Sequence, residues 1–413
     1  MNWDFLIEGK DSLAVTTDSR KVTSGCVFVA LKGEHFNGNL FAAQALETGA
    51  AYAIVDEDIP ATCSQKKEYD GRLIRVDDSL RALQDLARAW RRKLALPVIG
   101  ITGTNGKTTT KELTAAVLQT RYRIHYTQGN YNNSLGVPLT LLQLNKQHEL
   151  AVIEMGASHP GDINELVAIA EPDYGLITNV GYAHLQGFGS FEGVMRTKGE
   201  LYDWLVAHNG SVLRNADNAY LSQMWEKASS GHTWSGKEYL YHRIPMPEGT
   251  HLVGEYNAEN IAAALCIGEC FGIDREAGMR AIRSYVPSNN RSQALQTAKN
   301  SLVVDAYNAN YTSMQAALNS FDGDTYILGA MRELGDFSHT AHQNIVNLLL
   351  ERKADNVYLV GNEWKEATSP YPVYTTIEEL KEQITDGAIQ IAGQKVLIKG
   401  SRSNRMEELI EVL

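Results

Sequence analysis

VIGITGTNGKTTTKE, residues 98–112, opens on a short apolar run, Val98-Ile99-Gly100-Ile101, that reads as a buried strand. It turns on Gly103-Thr104-Asn105-Gly106 and continues through Lys107-Thr108-Thr109 into a helical pattern. Strand, glycine turn, Lys-Thr and helix make the phosphate-cradling arrangement of P-loop proteins. Glycines there let backbone N–H groups face a phosphate with no Cβ in the way. The helix N-terminus adds partial positive charge. Lys107 has the length to reach terminal phosphates, and the Thr108 hydroxyl can bind Mg²⁺. The spacing departs from the general G-x-x-x-x-G-K pattern, because Gly103 and Gly106 stand closer together. The plainer alternative is a Gly-rich βα turn with a solvated lysine.

Outward from this stretch, residues 98 to about 285 alternate strand and helix patterns. A mostly parallel sheet covered on both faces is expected. LAVIEMG (150–156) reads as a buried strand with Glu154 near its C-terminal end, the edge where ligands gather in open α/β sheets. A carboxylate there can hold Mg²⁺, or serve as a structural acid paired with a base. YGLITNV (174–180) is another strand, followed by His184, either a metal ligand or an ordinary satisfied histidine. The loop TQGNYNNS (127–134), with Asn130, Asn133 and Ser134, can offer amide contacts or be a plain loop. Lys198 falls on a helical pattern, where a lysine is usually solvated. Asn257 and Asn260 share one face at the start of an Ala-rich helix, and capping is the simple explanation.

Residues 1 to about 80 form a small α/β unit by pattern. Its strands are at 27–31 and 52–55, and its helix at 41–48 ends on Gly49. The polar turns TDSR (17–20) and KGEHFNG (32–38) suit a phosphorylated ligand or nothing in particular. A helical connector, 78–94, is stopped by Pro97. The stretch YVPSNN (285–290) reads as a hinge. Beyond it, strands at 301–305, 326–329, 357–361 and 395–400 each run into a Gly or polar turn. One such turn carries Tyr307 and Asn308. Another carries Arg402 and Arg405, which taken alone read as solvated residues.

The chain has 413 residues, 44% of them hydrophobic, enough for several packed domains. A net charge of −11 speaks against a nucleic-acid partner, so anionic ligands need local cations such as Lys107. No apolar run approaches the roughly 20 residues that span a bilayer. The N-terminus does not read as a signal peptide. Cys26, Cys63, Cys266 and Cys270 form no disulfide or zinc framework. A cytoplasmic, reducing setting is expected.

Several of these stretches coincide in a recognisable order. TGTNGKTT (102–109), Gly129-Asn130, the Glu154 strand, His184, Lys198 and NAEN (257–260) resemble the Mur ligases, ATP-dependent amide-bond enzymes of peptidoglycan synthesis. TDSR (17–20), VFVALKGEHFNG (27–38), DAYNANYTSM (305–314), GAMRELG (329–335) and KGSRSNRME (399–407) narrow the resemblance. They are most similar to members that join D-alanyl-D-alanine to UDP-N-acetylmuramoyl-tripeptide. The DNPR motif of members that add diaminopimelate is absent.

The resemblance implies an α/β protein of three domains. A small N-terminal α/β domain (1–80) would hold the UDP end of the substrate. A central P-loop-type, mostly parallel sheet (81–286) would carry the ATPase machinery, and a C-terminal Rossmann-like domain (287–413) would close over it. The same resemblance implies ATP and Mg²⁺. Gly103, Thr104, Asn105, Gly106, Lys107, Thr108 and Thr109 would hold the phosphates. Asn260 would lie near adenine, with Tyr307, Asn308 and Arg291 as further nucleotide contacts. Arg291 stands in Asn290-Arg291-Ser292, where many relatives have Gly-Arg. Thr108, Glu154, His184 and a carbamylated Lys198 would be the Mg²⁺ positions, and Lys107, Lys198 and His184 the catalytic set. Ser19, Arg20, Asn130, Asn133, Ser134 and Arg402 would contact substrate. A monomer acting without nucleic acid or membrane is expected. The alternatives are a sister Mur ligase adding a single amino acid, a folate-type polyglutamate ligase, and a non-catalytic nucleotide-binding module.

Overall fold

In a computed structural model, which describes residues 2–58 and 69–413, the order of elements follows the alternation in the sequence. The strand Val98–Thr102 is buried along its whole length and sits inside a six-stranded sheet. From edge to edge that sheet runs Glu238–Tyr241, Ser211–Asn215, Tyr174–Ile177, Val98–Thr102, Leu150–Glu154, Ile124–Tyr126. Every pairing in it is parallel. Parallel strands need crossovers, and helices on both faces supply them. One face packs on the helices Lys107–Leu118, Asn257–Cys270 and Arg275–Ser284. The other packs on Gly136–Leu142, Asp162–Ala170 and Phe191–Ala207.

The register sets the chemistry. Ile101 lies opposite Glu154, and Thr102 opposite Ile177. The glycine loop therefore leaves its strand with Glu154 on one side and Thr178-Asn179 on the other.

The N-terminal sheet is small and parallel, in the order Val15–Thr16, Val27–Val29, Tyr52–Val55, Leu73–Arg75. The helix Ala42–Thr48 covers it and ends on Gly49, whose φ of 119° suits only glycine. Cys26 is buried in this unit, while Cys63 lies outside the described residues. The connecting helix Ser79–Leu94 is capped by Asp78, whose carboxylate accepts from Arg81 N–H. Its Leu83, Leu86, Ala87 and Trp90 are fully buried in a core that joins the N-terminal and central sheets. This stripe follows the helical spacing expected from residues 78–94.

The third sheet runs Gln293–Gln296, Ser301–Asp305, Lys395–Lys399, Thr325–Gly329, Asn356–Val360, Val373–Tyr374. Its first strand is antiparallel and the rest are parallel. Helices cover both faces here as well.

The structure trims several expected elements. The strand at 27–31 ends at Val29, because the chain then turns into the hairpin Lys32–Gly33/Phe36–Asn37. The strands that end at Glu154 and Ile177 stop where their polar residues turn toward the glycine loop. Cys266 is buried and Cys270 partly so, both as free thiols on the Ala-rich helix.

Candidate active site

The loop 103–106 is held open by its neighbours rather than by itself. Thr104 N–H donates to Asn179 O (2.9 Å) and Asn105 N–H to Asn179 Oδ1 (3.0 Å). The Thr178 hydroxyl donates to Asn105 O (2.6 Å), and Gly181 N–H to Thr104 Oγ1 (3.0 Å). Gly103 adopts φ 143° and Gly106 φ 78°. A Cβ on Gly103 would lie 2.0 Å from Thr178 Oγ1, and one on Gly106 would lie 2.3 Å from Asn260 Oδ1. Both positions exclude a side chain twice over, by φ and by space.

Lys107 folds back over this loop and donates to Gly103 O (2.7 Å) and Thr104 O (3.0 Å). Its burial is the main cause that pushes its pKa down to about 8. A half-buried amine on two carbonyls, its pKa lowered, is poised for an anion that would favour its protonated form. Thr108 donates to Glu154 Oε1 (3.2 Å), which also accepts from Asn132 Nδ2 (2.8 Å). Glu154 Oε2 is buried without a hydrogen-bond partner. Buried Lys111 sits 4.0 Å from that oxygen and donates to Thr127 O (2.5 Å).

Lys198, on the helix Phe191–Ala207, is buried, against the solvated reading of a helix lysine. Its ammonium faces the Phe188 ring at 5.6 Å. Burial first, and Lys107 second, hold its pKa well below that of a free lysine. His184 has φ 50° and meets the Glu333 carboxylate through Nδ1. Burial lowers its pKa, with Glu333 opposing and Lys107 adding to the shift. Asn260 accepts from Thr110 Oγ1 (3.1 Å) and donates to Asn257 Oδ1 (2.9 Å). The two amides that share a helix face bond to each other and do not cap the helix, since Asn257 Nδ2 reaches back to Val253 O (2.8 Å).

The C-terminal unit closes the other side. Asn310 Nδ2 donates to Asn105 Oδ1 (2.8 Å), and Tyr182 N–H to Thr312 Oγ1 (3.1 Å). The Arg291 guanidinium lies 3.8 Å from the centre of the Tyr307 ring, with Arg402 on that ring at 5.5 Å. Arg291 Nε is buried without a partner. Asp305 and buried Lys399, opposite each other in register, form a partly buried pair at 2.6 Å.

A cavity of about 800 Å³ gathers Thr104 to Thr109, Asn133, Ser134, Glu154, His184, Asn260, Arg291, Tyr307 and Asn308. Gly103 and Lys198 adjoin it through Lys107 and His184. Asn130 is exposed and outside it; its neighbour Asn132 points inward instead. Ser19 and Arg20 lie far along the chain on the N-terminal unit, where Arg20 is 87% exposed and paired with Asp18. Arg402 reaches the cavity only through Tyr307. Asn132, Asn179, Glu333 and the Asp305–Lys399 pair were not singled out by sequence. Asn179 just past the strand Tyr174–Ile177, and Asp305 and Lys399 as the last residues of theirs, show the signal that could have found them: polar residues at strand C-termini.

Three family models match the chain: the Mur ligase middle domain over residues 101–239, the "Mur ligase, glutamate ligase domain" over 290–402, and the "Mur ligase family, catalytic domain" over 14–91. The UDP-N-acetylmuramoyl-tripeptide–D-alanyl-D-alanine ligase of Bacillus subtilis is 34% identical, covering 97% of this chain and 92% of the relative. The chain belongs to the Mur ligase family.

Other Mur ligases agree. The Escherichia coli ligase of the same description is 35% identical over 97% of this chain and 93% of its own. A crystal structure of MurF from Acinetobacter baumannii superposes with a TM-score of 0.84 at 30% identity, covering 96% and 92% of the two chains. MurF from Thermotoga maritima in complex with ADP gives 0.83 at 27% identity, covering 97% of each. The three-domain α/β fold is that of these Mur ligases, with parallel N-terminal and central sheets and a mixed C-terminal sheet.

Proposed function

We propose that this Mur ligase joins D-alanyl-D-alanine to the terminal carboxylate of UDP-N-acetylmuramoyl-tripeptide in peptidoglycan synthesis, converting ATP to ADP and phosphate. One observation carries the reading: a single cavity draws Lys107, Glu154 and His184 from the central unit and Arg291, Tyr307 and Asn308 from the C-terminal one.

A carboxylate condenses poorly with an amine because oxide is a poor leaving group. The substrate carboxylate first attacks the γ-phosphorus, and the bond to the ADP oxygen breaks. The amine then attacks the acyl carbon, loses a proton, and phosphate departs with the C–O electron pair. Two anions must approach in the first step. Lys107 and the N–H groups of 106–108, which open the helix Lys107–Leu118, offset that repulsion on the phosphate side. Arg291, Tyr307 and Asn308 bring the C-terminal unit over the nucleotide, and closure keeps water from the acyl phosphate.

The residues fit a magnesium ion, judged by the orphaned Glu154 oxygen beside the Thr108 hydroxyl. Among the described residues no three His, Cys, Asp or Glu side chains converge as a ready cage. That suits Mg²⁺, which takes one or two carboxylates and completes its shell with water and phosphate oxygens. Thr108, Glu154, His184 and a carbamylated Lys198 would hold it. Its chemistry there is charge neutralisation between phosphate and carboxylate. Burial and Lys107 lower the Lys198 pKa and so ease loss of the ammonium proton; the freed lone pair can add CO₂ with release of a second proton, which supports the carbamate at Lys198.

The remaining assignments rest on the family. Residues 1–80, with Ser19 and Arg20, take the UDP end, 81–286 the ATP, and 287–413 the dipeptide. Asn133, Ser134 and Arg402 contact substrate. The protein acts as a cytoplasmic monomer; no helix among the described residues is long and apolar enough to cross a membrane. The test is phosphate release from ATP with UDP-N-acetylmuramoyl-tripeptide, with and without D-alanyl-D-alanine. Release that depends on both supports the reading. Release with a free amino acid but not the dipeptide, or none at all, refutes it.

A further inference from the structure

ATP and the tripeptide acid bring negative charge to the cavity, whereas the dipeptide brings an ammonium. An anion must receive that ammonium, and it must not already be committed to partners of its own unit. The carboxylates lining the cavity are otherwise engaged. Glu154 accepts from Thr108 and Asn132. Asp162 accepts from the N–H groups of Ser158 and His159 (2.8 and 2.9 Å). Glu165 accepts from Gln84 (2.8 Å), and Asp305 is locked to buried Lys399 (2.6 Å). Glu259 sits in the field of Arg243, which follows the edge strand Glu238–Tyr241.

Glu333 differs from all of these. It belongs to the C-terminal unit, four residues past the end of the strand Thr325–Gly329, at the edge where open sheets bind ligands. Its backbone sits at φ 61°, a conformation non-glycine residues rarely adopt and that concentrates at functional positions. The neighbouring cation, Arg332, is turned away to Glu363. The partner of Glu333 is the His184 imidazole, across the boundary between units and on the cavity wall. Its side chain is 57% exposed, so an incoming group can reach it. Its carbonyl also anchors the loop, accepting from Gln186 N–H (3.3 Å).

We propose that Glu333 is the receptor for the ammonium group of the incoming dipeptide, holding the amine beside the acyl carbon while His184 keeps the carboxylate in place before it arrives. The assignment rests on the ligase reading above. It makes Glu333 specific for one substrate of the three.

The test is steady-state kinetics of the full chain and of Glu333→Gln, which keeps size and acceptor oxygen but removes the charge. A charge-assisted hydrogen bond of this kind predicts a KM for D-alanyl-D-alanine raised about 10- to 100-fold in Glu333→Gln. The KM values for ATP and the UDP-tripeptide should stay within about twofold. Glu333→Asp should recover part of the loss. Hydroxylamine trapping of the acyl phosphate, run without dipeptide, should be unaffected. A dipeptide KM unchanged in Glu333→Gln, or three KM values rising together as a mere closure contact would cause, overturns the inference while leaving the ligase reading intact. If the unmodified protein neither forms the acyl phosphate nor turns over, both fall.

Discussion

Gly106→Ala isolates the physics of the phosphate loop. Gly106 adopts φ 78°, where an alanine costs about 1–2 kcal/mol. The added methyl would lie 2.3 Å from Asn260 Oδ1 and 3.1 Å from its Cγ, so Asn260 must move. Moving it breaks the buried bonds to Thr110 (3.1 Å) and Asn257 (2.9 Å), each worth about 1 kcal/mol. The total is about 3 kcal/mol. For a unit of this size each kcal/mol shifts the midpoint by about 2–4 °C, so the central transition should fall by about 6–12 °C. Differential scanning calorimetry reads that shift, and ATP titration reads the accompanying loss of affinity. In Gly106→Ala/Asn260→Ala the methyl has room and the two bonds are lost once instead of twice, so the double variant should lose about 2 kcal/mol less than the two single losses combined. A midpoint within about 2 °C of the unmodified protein, or strict additivity, would refute the view that Asn260 braces the loop.

Three further outcomes follow from the same geometry. Lys107, with its pKa near 8 in the empty site, is mostly neutral at pH 8.5, and a bound triphosphate raises that pKa. ATP binding at pH 8.5 should therefore take up a proton, seen by calorimetry in buffers of different ionisation enthalpy; Lys107→Met should abolish the uptake as well as turnover. The linked stability runs the same way: the folded protein bears a penalty for charged Lys107 below pH 8 that fades as pH rises toward 10.5. Lys198→Ala should lose activity and regain part of it with added short carboxylates, whereas absence of rescue would count against a carbamate. Lys399→Met strands the Asp305 carboxylate and should cost about 3–5 kcal/mol in chemical denaturation, with Asp305→Asn/Lys399→Met regaining much of it.

Much of this protein was legible along the chain because its signals are local. A strand, two glycines, a Lys-Thr pair and a helix are contiguous from 98 to 118, and contiguity is what a linear reading detects. The helical stripe of residues 79–94 and the Gly49 cap are equally local. Lys198 was not legible from its own neighbourhood. A lysine on a helix reads as solvated, and only the packing of Phe191–Ala207 against the cavity buries it. Asn130 and Asn132 sit two apart in one polar loop, and the pattern cannot tell which amide turns inward.

The sequence by itself determined the alternation of strand and helix, the glycine loop, and family membership, because these depend on residues near one another or on motifs kept in order. Tertiary structure alone decided which residues far apart in the chain meet. Glu333 reaches His184 over 149 positions, Asn310 reaches Asn105 over 205, and Lys399 meets Asp305 over 94. Such pairs are fixed by sheet register and by how two cores dock, and no local pattern encodes either.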